Sequence, residues 1–296
     1  TDNNGMQIDG NTNEIISIHD VDIPYLIHIC ELIIDDNKEI DPIEKSNLPN
    51  FIYGSYTGLA MTIFGLIPSL TSMFGKSILP AISESWAKKD TKSIVKNIHA
   101  VLFATGLIAI PAGLGICVFS EEILRILFPS RTAEILVAYP VLEILSVGMI
   151  FLALSAPIFS SLQAIGKAHI PVKVMLVSCI VKVIMNVLLV SIPEINIMGA
   201  GISTTIFYII IFLWSFSSLI KYTLIKINFN LLFVNPFLGA ILCCSTAKLT
   251  FDILSPRLNS PLSLVISVFL GVIIYIFSLC LLSVLNKNHL KSLFFK

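Results

Sequence analysis

Glu143 and Lys182 are ionisable residues set deep inside long apolar stretches, where a charge costs on the order of 2.5–3.5 kcal/mol and needs a reason to be there. Asn186 follows Lys182 by one helical turn and Ser178 precedes it by one, which puts all three on one helix face. If the two stretches span a membrane in opposite directions, the rise of about 1.5 Å per residue places Glu143 about 10 Å and Lys182 about 15 Å below the same surface. A lysine side chain covers that offset, so a Glu143–Lys182 pair facing an internal cavity is expected. The alternative is two separate residues, with Lys182 on backbone carbonyls and Glu143 protonated or hydrated. Lys248 and Asp252 form a second polar pair four residues apart near a stretch end, and they are expected to reach toward the interface.

Other chemistry is sparse. The sequence has no phosphate-binding glycine loop, no GxSxG and no HExxH, so an enzyme is not expected. No basic aromatic stripe points to nucleic acid. The six cysteines show no CxxC or Cys/His ligand spacing, and five lie in apolar runs. They read as small buried hydrophobes, with no metal or cofactor implied.

The elements that position these residues follow from composition. The chain is 55% hydrophobic and only 13% charged, with a mean hydropathy of +0.90. Soluble domains carry about a quarter charged residues. A spanning helix needs about 20 mainly apolar residues, and seven such stretches occur, near 51–74, 99–119, 136–162, 171–192, 197–220, 232–254 and 261–285. The expected fold is all-α, a polytopic transmembrane bundle. The stretch 76–97 has helical periodicity and predicts a separate amphipathic helix at the interface, and 121–128 predicts a shorter one ended by Pro129. Gln163, followed by Gly166 and Lys167, reads as a helix exit. Pro68, Pro80, Pro111 and Pro157 interrupt the helices and are candidate flexing points, with kinks that only shape packing as the alternative.

Charge orients the bundle. Residues 1–50 hold eleven acids and two bases, so the formal net charge of +0 hides two opposite segments. Twelve lysines, among them Lys76, Lys88, Lys89, Lys92, Lys96, Lys167 and Lys173, collect on one side of the spans, against at most five Lys or Arg on the other. The positive-inside rule makes the first side, and the C-terminus, cytoplasmic in a multi-pass cell-membrane protein. The expected organisation is an acidic extracytoplasmic or degenerate segment over 1–50, a bundle over 51–220, and two further helices with a cytoplasmic tail over 221–296. Ile23–Ile34 is apolar but too short to span, and reads as an interfacial or packed helix, with an eroded span as the alternative.

Several motifs occur in a familiar order. They are Tyr53-Gly54-x-x-Thr57-Gly58, Pro68, Leu79-Pro80-Ala81-Ile82-Ser83 with Asp90, and Phe119-x-x-x-Ile123-Leu124-x-Ile126-Leu127-Phe128. Leu162-Gln163-x-Ile165-Gly166-Lys167 with Pro171, Val181-Lys182-x-x-x-Asn186 and Ile197-x-Gly199-Ala200-Gly201 follow. Together they resemble the stage V sporulation protein B family, polysaccharide-transporter-type members of the MATE-like exporter superfamily that also contains the lipid II flippases. The resemblance covers about 51–285. It implies two six-helix lobes around a central cavity, with this chain supplying the second lobe and starting at the family's eighth span. A fragment lacking its N-terminal lobe, beginning at Thr1, is therefore expected, with that lobe as its missing partner.

The resemblance further implies a flippase that moves a lipid-linked oligosaccharide or peptidoglycan precursor, of the polyprenyl diphosphate type, across the cytoplasmic membrane by alternating access, with a link to sporulation and membrane lipids around it. Lys182 would face the diphosphate, and Asn186, Glu143, Tyr56, Thr57 and Gln163 would line the pathway. The lipid II flippase branch carries an Arg where this sequence has Tyr56 and Thr57. Two other readings stand beside it: a multidrug or cation antiporter of the same superfamily, and a truncated, non-transporting membrane scaffold.

Overall fold

The computed structural model describes residues 7–8, 15–16, 50–192, 195–223 and 230–281. Gln7–Ile8 and Ile15–Ile16 pair as a two-residue antiparallel ladder. From there the described chain is helical: α1 (Asn50–Ala87), α2 (Thr91–Val118), α3 (Ser120–Leu127), α4 (Thr132–Ala164), α5 (His169–Val190), α6 (Ile197–Thr223), α7 (Asn230–Leu254) and α8 (Ser260–Leu281). All but α3 are long and apolar enough to cross a membrane, giving the seven spans expected. Ile23–Ile34, Cys30, Pro193 and Glu194 lie outside the described residues.

The predicted interfacial helix over 76–97 does not form. Instead α1 runs on to Ala87 and α2 starts at Thr91. Lys89 turns the chain at φ 55°, and Asp90 caps α2 by accepting from the Ser93 backbone N–H at 3.2 Å and from the Ser93 hydroxyl at 2.6 Å, which satisfies donors that a helix start leaves open. Of the apolar positions that suggested a membrane-facing stripe, Ile82 and Ile94 are buried in the core, Ile78 and Val95 pack against it, and Trp86 stays exposed. The buried ones pack on one another across the hairpin, so the periodicity was right and its partner was protein.

The centre is α4. Its 33 residues span about 50 Å at 1.5 Å per residue, well beyond a hydrocarbon core of about 30 Å. Leu154, Ile158 and Leu162 anchor one buried cluster, and Ile135, Leu142, Leu145 and Met149 anchor another toward the opposite end. Burial reaches 50% of the most apolar window of α4 against 11% for α5, so α4 is the hub and α5 the rim. In lipid, apolar faces gain little from meeting each other, and close approach depends on small residues. Gly148 supplies it between α4 and α6, where an added Cβ would stand 3.0 Å from the Thr205 Cα. At Gly75, α1 crosses α4 so closely that a Cβ would meet the Pro157 Cα at 3.1 Å.

Helix α4 ends in a Schellman-type turn. Gly166 takes φ 75°, and the Gly166 and Lys167 N–H groups donate to the carbonyls of Gln163 and Leu162 at 3.0 and 2.9 Å, closing the orphan carbonyls of the last turn. The expected helix exit at Gln163 is therefore present. Helices α7 and α8 form a close pair that leans on α2.

Candidate functional site

Tyr56 and Thr57 lie in a widened π-type turn of α1, Tyr56–Ala60, a local departure from regular helix often found at working positions. Tyr56 is buried beside Thr204 and Tyr208 of α6. Thr57 is exposed, and its hydroxyl donates to the Tyr53 carbonyl at 2.8 Å. Along the same exposed face follow Gly58, Thr62, Gly65 and Ser69. The hydroxyls of Thr62 and Ser69 donate to the carbonyls of Gly58 and Leu66, each at 2.7 Å.

Lys182 and Asn186 approach the same part of α6 from the other flank. The Lys182 Nζ stands 5.3 Å from the centre of the Phe207 ring, a cation–π contact that offsets part of the cost of a charge at this depth. Asn186 Oδ1 accepts from the Ser203 hydroxyl at 3.0 Å. The Phe207 and Tyr208 rings are edge to face, 4.9 Å apart, and Tyr208 in turn meets Phe64 of α1 at 5.5 Å. The stretch Ser203–Tyr208 of α6 thus joins the α1 π-turn to the polar face of α5. Tyr56 on one side and Lys182 and Asn186 on the other contact the same stretch of α6. Thr57 is exposed next to Tyr56 in the chain, and Ser178 is buried one turn below Lys182.

Glu143 is not among these residues, and the expected Glu143–Lys182 pair is absent. Helix α5 packs along α6, which separates it from α4. Glu143 is exposed and takes a hydrogen bond from the Ser120 hydroxyl at 3.2 Å. The excess length of α4 explains the position: with both ends overhanging the hydrocarbon, a residue eleven positions from Thr132 stands closer to the membrane surface than a 20-residue span would place it. Gln163 is exposed at the opposite end of the bundle. Pro80, Pro111 and Pro157 all sit inside continuous helices, and Pro68 follows the Gly65 break in α1. Cys179 and Cys280, expected to be buried, are exposed on α5 and α8, while Cys244 is buried. Among the described residues no group of His, Cys, Asp and Glu could hold a metal.

Sequence reasoning missed two features. One is a cavity of about 470 Å³ between α2, α3, α7 and α8, lined by apolar side chains such as Leu107, Pro111, Ile116, Leu264 and Val268, with Cys243 and Cys244 on its wall. Its size falls within the range of ligand pockets. The other is a salt bridge at its rim, where the Lys248 Nζ lies 2.6 Å from Glu122 Oε1. The ion-pair partner of Lys248 is thus Glu122, not Asp252. Glu122 in an amphipathic piece and Lys248 at a span end were the available signals; their 126-residue separation hid the link.

Comparison with known proteins places these features. A protein of Bacillus subtilis, stage V sporulation protein B, is 25% identical over 154 residues, 51% of this chain and 28% of its own length, in keeping with the motif resemblance. An uncharacterized membrane protein of Methanocaldococcus jannaschii is 28% identical over 170 residues, 56% of this chain and 32% of its own. The Haloferax volcanii protein described as "Probable low-salt glycan biosynthesis flippase Agl15" is 29% identical over 160 residues, 53% and 33%. The chain thus matches about a third of the length of these curated relatives. The solved structure of lipid II flippase MurJ in its inward closed conformation superposes with a TM-score of 0.61 at 17% identity, covering 79% of this chain and 47% of that one, which shows a shared fold. The family model for lipid II flippase MurJ matches residues 55–270, and the chain belongs to that family.

Proposed function

We propose that this bundle is one lobe of a flippase for a lipid-linked oligosaccharide of the polyprenyl diphosphate type, working by alternating access in the cytoplasmic membrane. The observation that carries the reading is the line of exposed hydroxyls and glycines along α1, set among Leu66, Leu70 and Met73, together with Lys182 and Asn186 held on the α6 stretch that the α1 π-turn also meets. A polar face at membrane depth needs either water or protein against it, and a cavity between this lobe and a second one supplies both in turn. Lys182 provides the positive charge for a diphosphate. The apolar cavity beside α7 and α8 suits a hydrocarbon chain. The relatives named for flipping support the same substrate class. In this reading the lysine-rich end, with Lys88, Lys89 and Lys167, is cytoplasmic, as the positive-inside rule requires, and residues 221–296 form an accessory helix pair with a cytoplasmic tail. Pro68 beside the Gly65 break is the favoured flexing point. Within the family, lipid II is the reference substrate, and Tyr56 and Thr57 at the place of an arginine favour a related precursor of different headgroup.

The test is a sidedness assay. Proteoliposomes holding the full-length gene product and a fluorescent polyprenyl-diphosphate oligosaccharide should present the sugar to an externally added glycosidase. Lys182→Met should slow this at least tenfold without unfolding the protein, since it removes a half-buried charge. Sugar exposure no faster than in protein-free vesicles overturns the proposal, and uptake of a lipophilic cation in the same vesicles would favour the antiporter reading instead.

A further inference from the structure

Helices α7 and α8 meet the rest of the bundle at two levels, with the apolar cavity between them. Toward the lysine-rich end the contact is tight. Gly106 of α2 lets the α7 backbone come so near that an added Cβ would stand 3.2 Å from the Leu232 carbonyl oxygen. Tyr275 of α8 donates its hydroxyl to the Leu107 carbonyl at 3.1 Å, and Phe103, Ala240 and Leu279 pack around it. The two helices also hold each other closely: a Cβ on Gly271 would meet the Cys243 carbonyl oxygen at 3.2 Å, and one on Gly239 the Tyr275 ring at 3.2 Å. They are built to move as a unit.

At the other end the connection is made through α3. This eight-residue helix is fixed to the α4 side by Leu124, which is fully buried, and by the Ser120–Glu143 hydrogen bond. It reaches α7 through the Glu122–Lys248 bridge and through Phe119, whose ring meets Phe251 edge to face at 5.7 Å. The Lys248 Nζ is 5.5 Å from the centre of each of these rings. The Glu122 side chain is only 17% exposed and that of Lys248 40%, so the bridge is shielded from solvent on the carboxylate side. Glu122 also sits in the first turn of α3, where the helix dipole favours a negative charge. Within α3, Glu121 is engaged by Arg125, and on α7 Asp252 stands one turn beyond Lys248.

We propose that the Glu122–Lys248 bridge is a latch. It holds the α7–α8 pair against α3 at one end while the pair is hinged at Gly106, Leu232 and Tyr275 at the other, and its release opens the apolar cavity sideways at the rim. A breakable ion pair suits such a latch: removing one partner strands the other charge in a partly desolvated place, so the closed form loses more than a surface pair would cost it. That a hydrocarbon chain enters the opened cavity rests on the functional reading above; the opening itself does not.

Native thiols report it without transport. Cys243 and Cys244 line the cavity, whereas Cys179 faces outward on α5 and serves as an internal reference. N-ethylmaleimide labelling of the full chain in lipid nanodiscs, read by peptide mass spectrometry, should be at least tenfold faster at Cys243 and Cys244, relative to Cys179, in Glu122→Gln and in Lys248→Met. The exchange Glu122→Lys with Lys248→Glu rebuilds the pair with reversed polarity and should restore slow labelling. Single variants that label like the wild type overturn the latch, and so does an exchange variant as reactive as the single ones.

Discussion

Two helices of this bundle present wide exposed faces at membrane depth, and they differ in kind. On α5 the outward residues include Val172, Met175, Leu176, Ile180, Val183, Ile184, Val187 and Leu188, apolar and branched or long, with Lys173 near the helix start and Cys179 exposed among them, the composition of a surface that suits lipid chains. On α1 the small or hydroxylated Gly54, Thr57, Gly58, Thr62, Gly65 and Ser69 alternate with the large apolar Tyr53, Leu66, Leu70 and Met73. Equal exposure thus marks two environments. In the flippase reading the predominantly apolar α5 face meets lipid, whereas the mixed α1 face, with hydroxyls at membrane depth, borders water or another protein surface. The candidate residues Tyr56, Lys182 and Asn186 gather around α6, the helix flanked by both.

Charge insertion should separate the two faces most strongly. Val183→Lys puts an ammonium near the middle of the lipid-facing helix and should destabilise the fold by about 2.5–3.5 kcal/mol, judged by insertion scales. Thr62→Lys on α1 should cost less than half of that. Equal losses in equilibrium unfolding in detergent–lipid micelles would remove the distinction. A gentler probe is water access. In lipid nanodiscs a cysteine at Thr62 should react with a water-soluble maleimide at least ten times faster than the native Cys179 on α5, and comparable rates would mean that both faces meet lipid.

The seven spans were legible because each carries an apolar run of membrane length, and the family because its motifs keep their order along the chain, one of them, Leu162-Gln163-x-Ile165-Gly166-Lys167, forming the turn that ends α4. What could not be read was adjacency. Glu143 and Lys182 are matched in depth on paper, but nothing in sequence says that α6 stands between their helices. The hairpin at Lys88–Asp90 was hidden for a different reason. A left-handed Lys89 is an uncommon choice, and amphipathic periodicity is the same whether a stripe faces lipid or another helix. The Glu122–Lys248 bridge and the cavity are products of tertiary packing alone.

The smallest expected effect concerns the hairpin that ends the α1 face. Hydrogen bonds from the Ser93 hydroxyl and then the Ser93 backbone N–H hold the Asp90 carboxyl below its ordinary value of 3.8. A depressed carboxylate pKa stabilises the fold above the ordinary value, and that contribution is lost as pH falls below it. Asp90→Asn should therefore leave unfolding at pH 7 slightly easier and flatten the pH dependence only below about pH 4. A matching change between pH 5 and 7 would assign the effect to another group.

The hydroxyls of the α1 face carry one more consequence. Thr57, Thr62, Ser69 and Ser77 each spend their single proton on a carbonyl of the preceding turn, so drying that face strands no donor and wetting it competes with few bonds already made. These hydroxyls are close to indifferent between water, protein and a passing headgroup. A wall that must be flooded in one state and sealed in the next changes occupants at the least free-energy cost where its polar groups are already satisfied in this way, an option the valines and isoleucines of α5 do not offer.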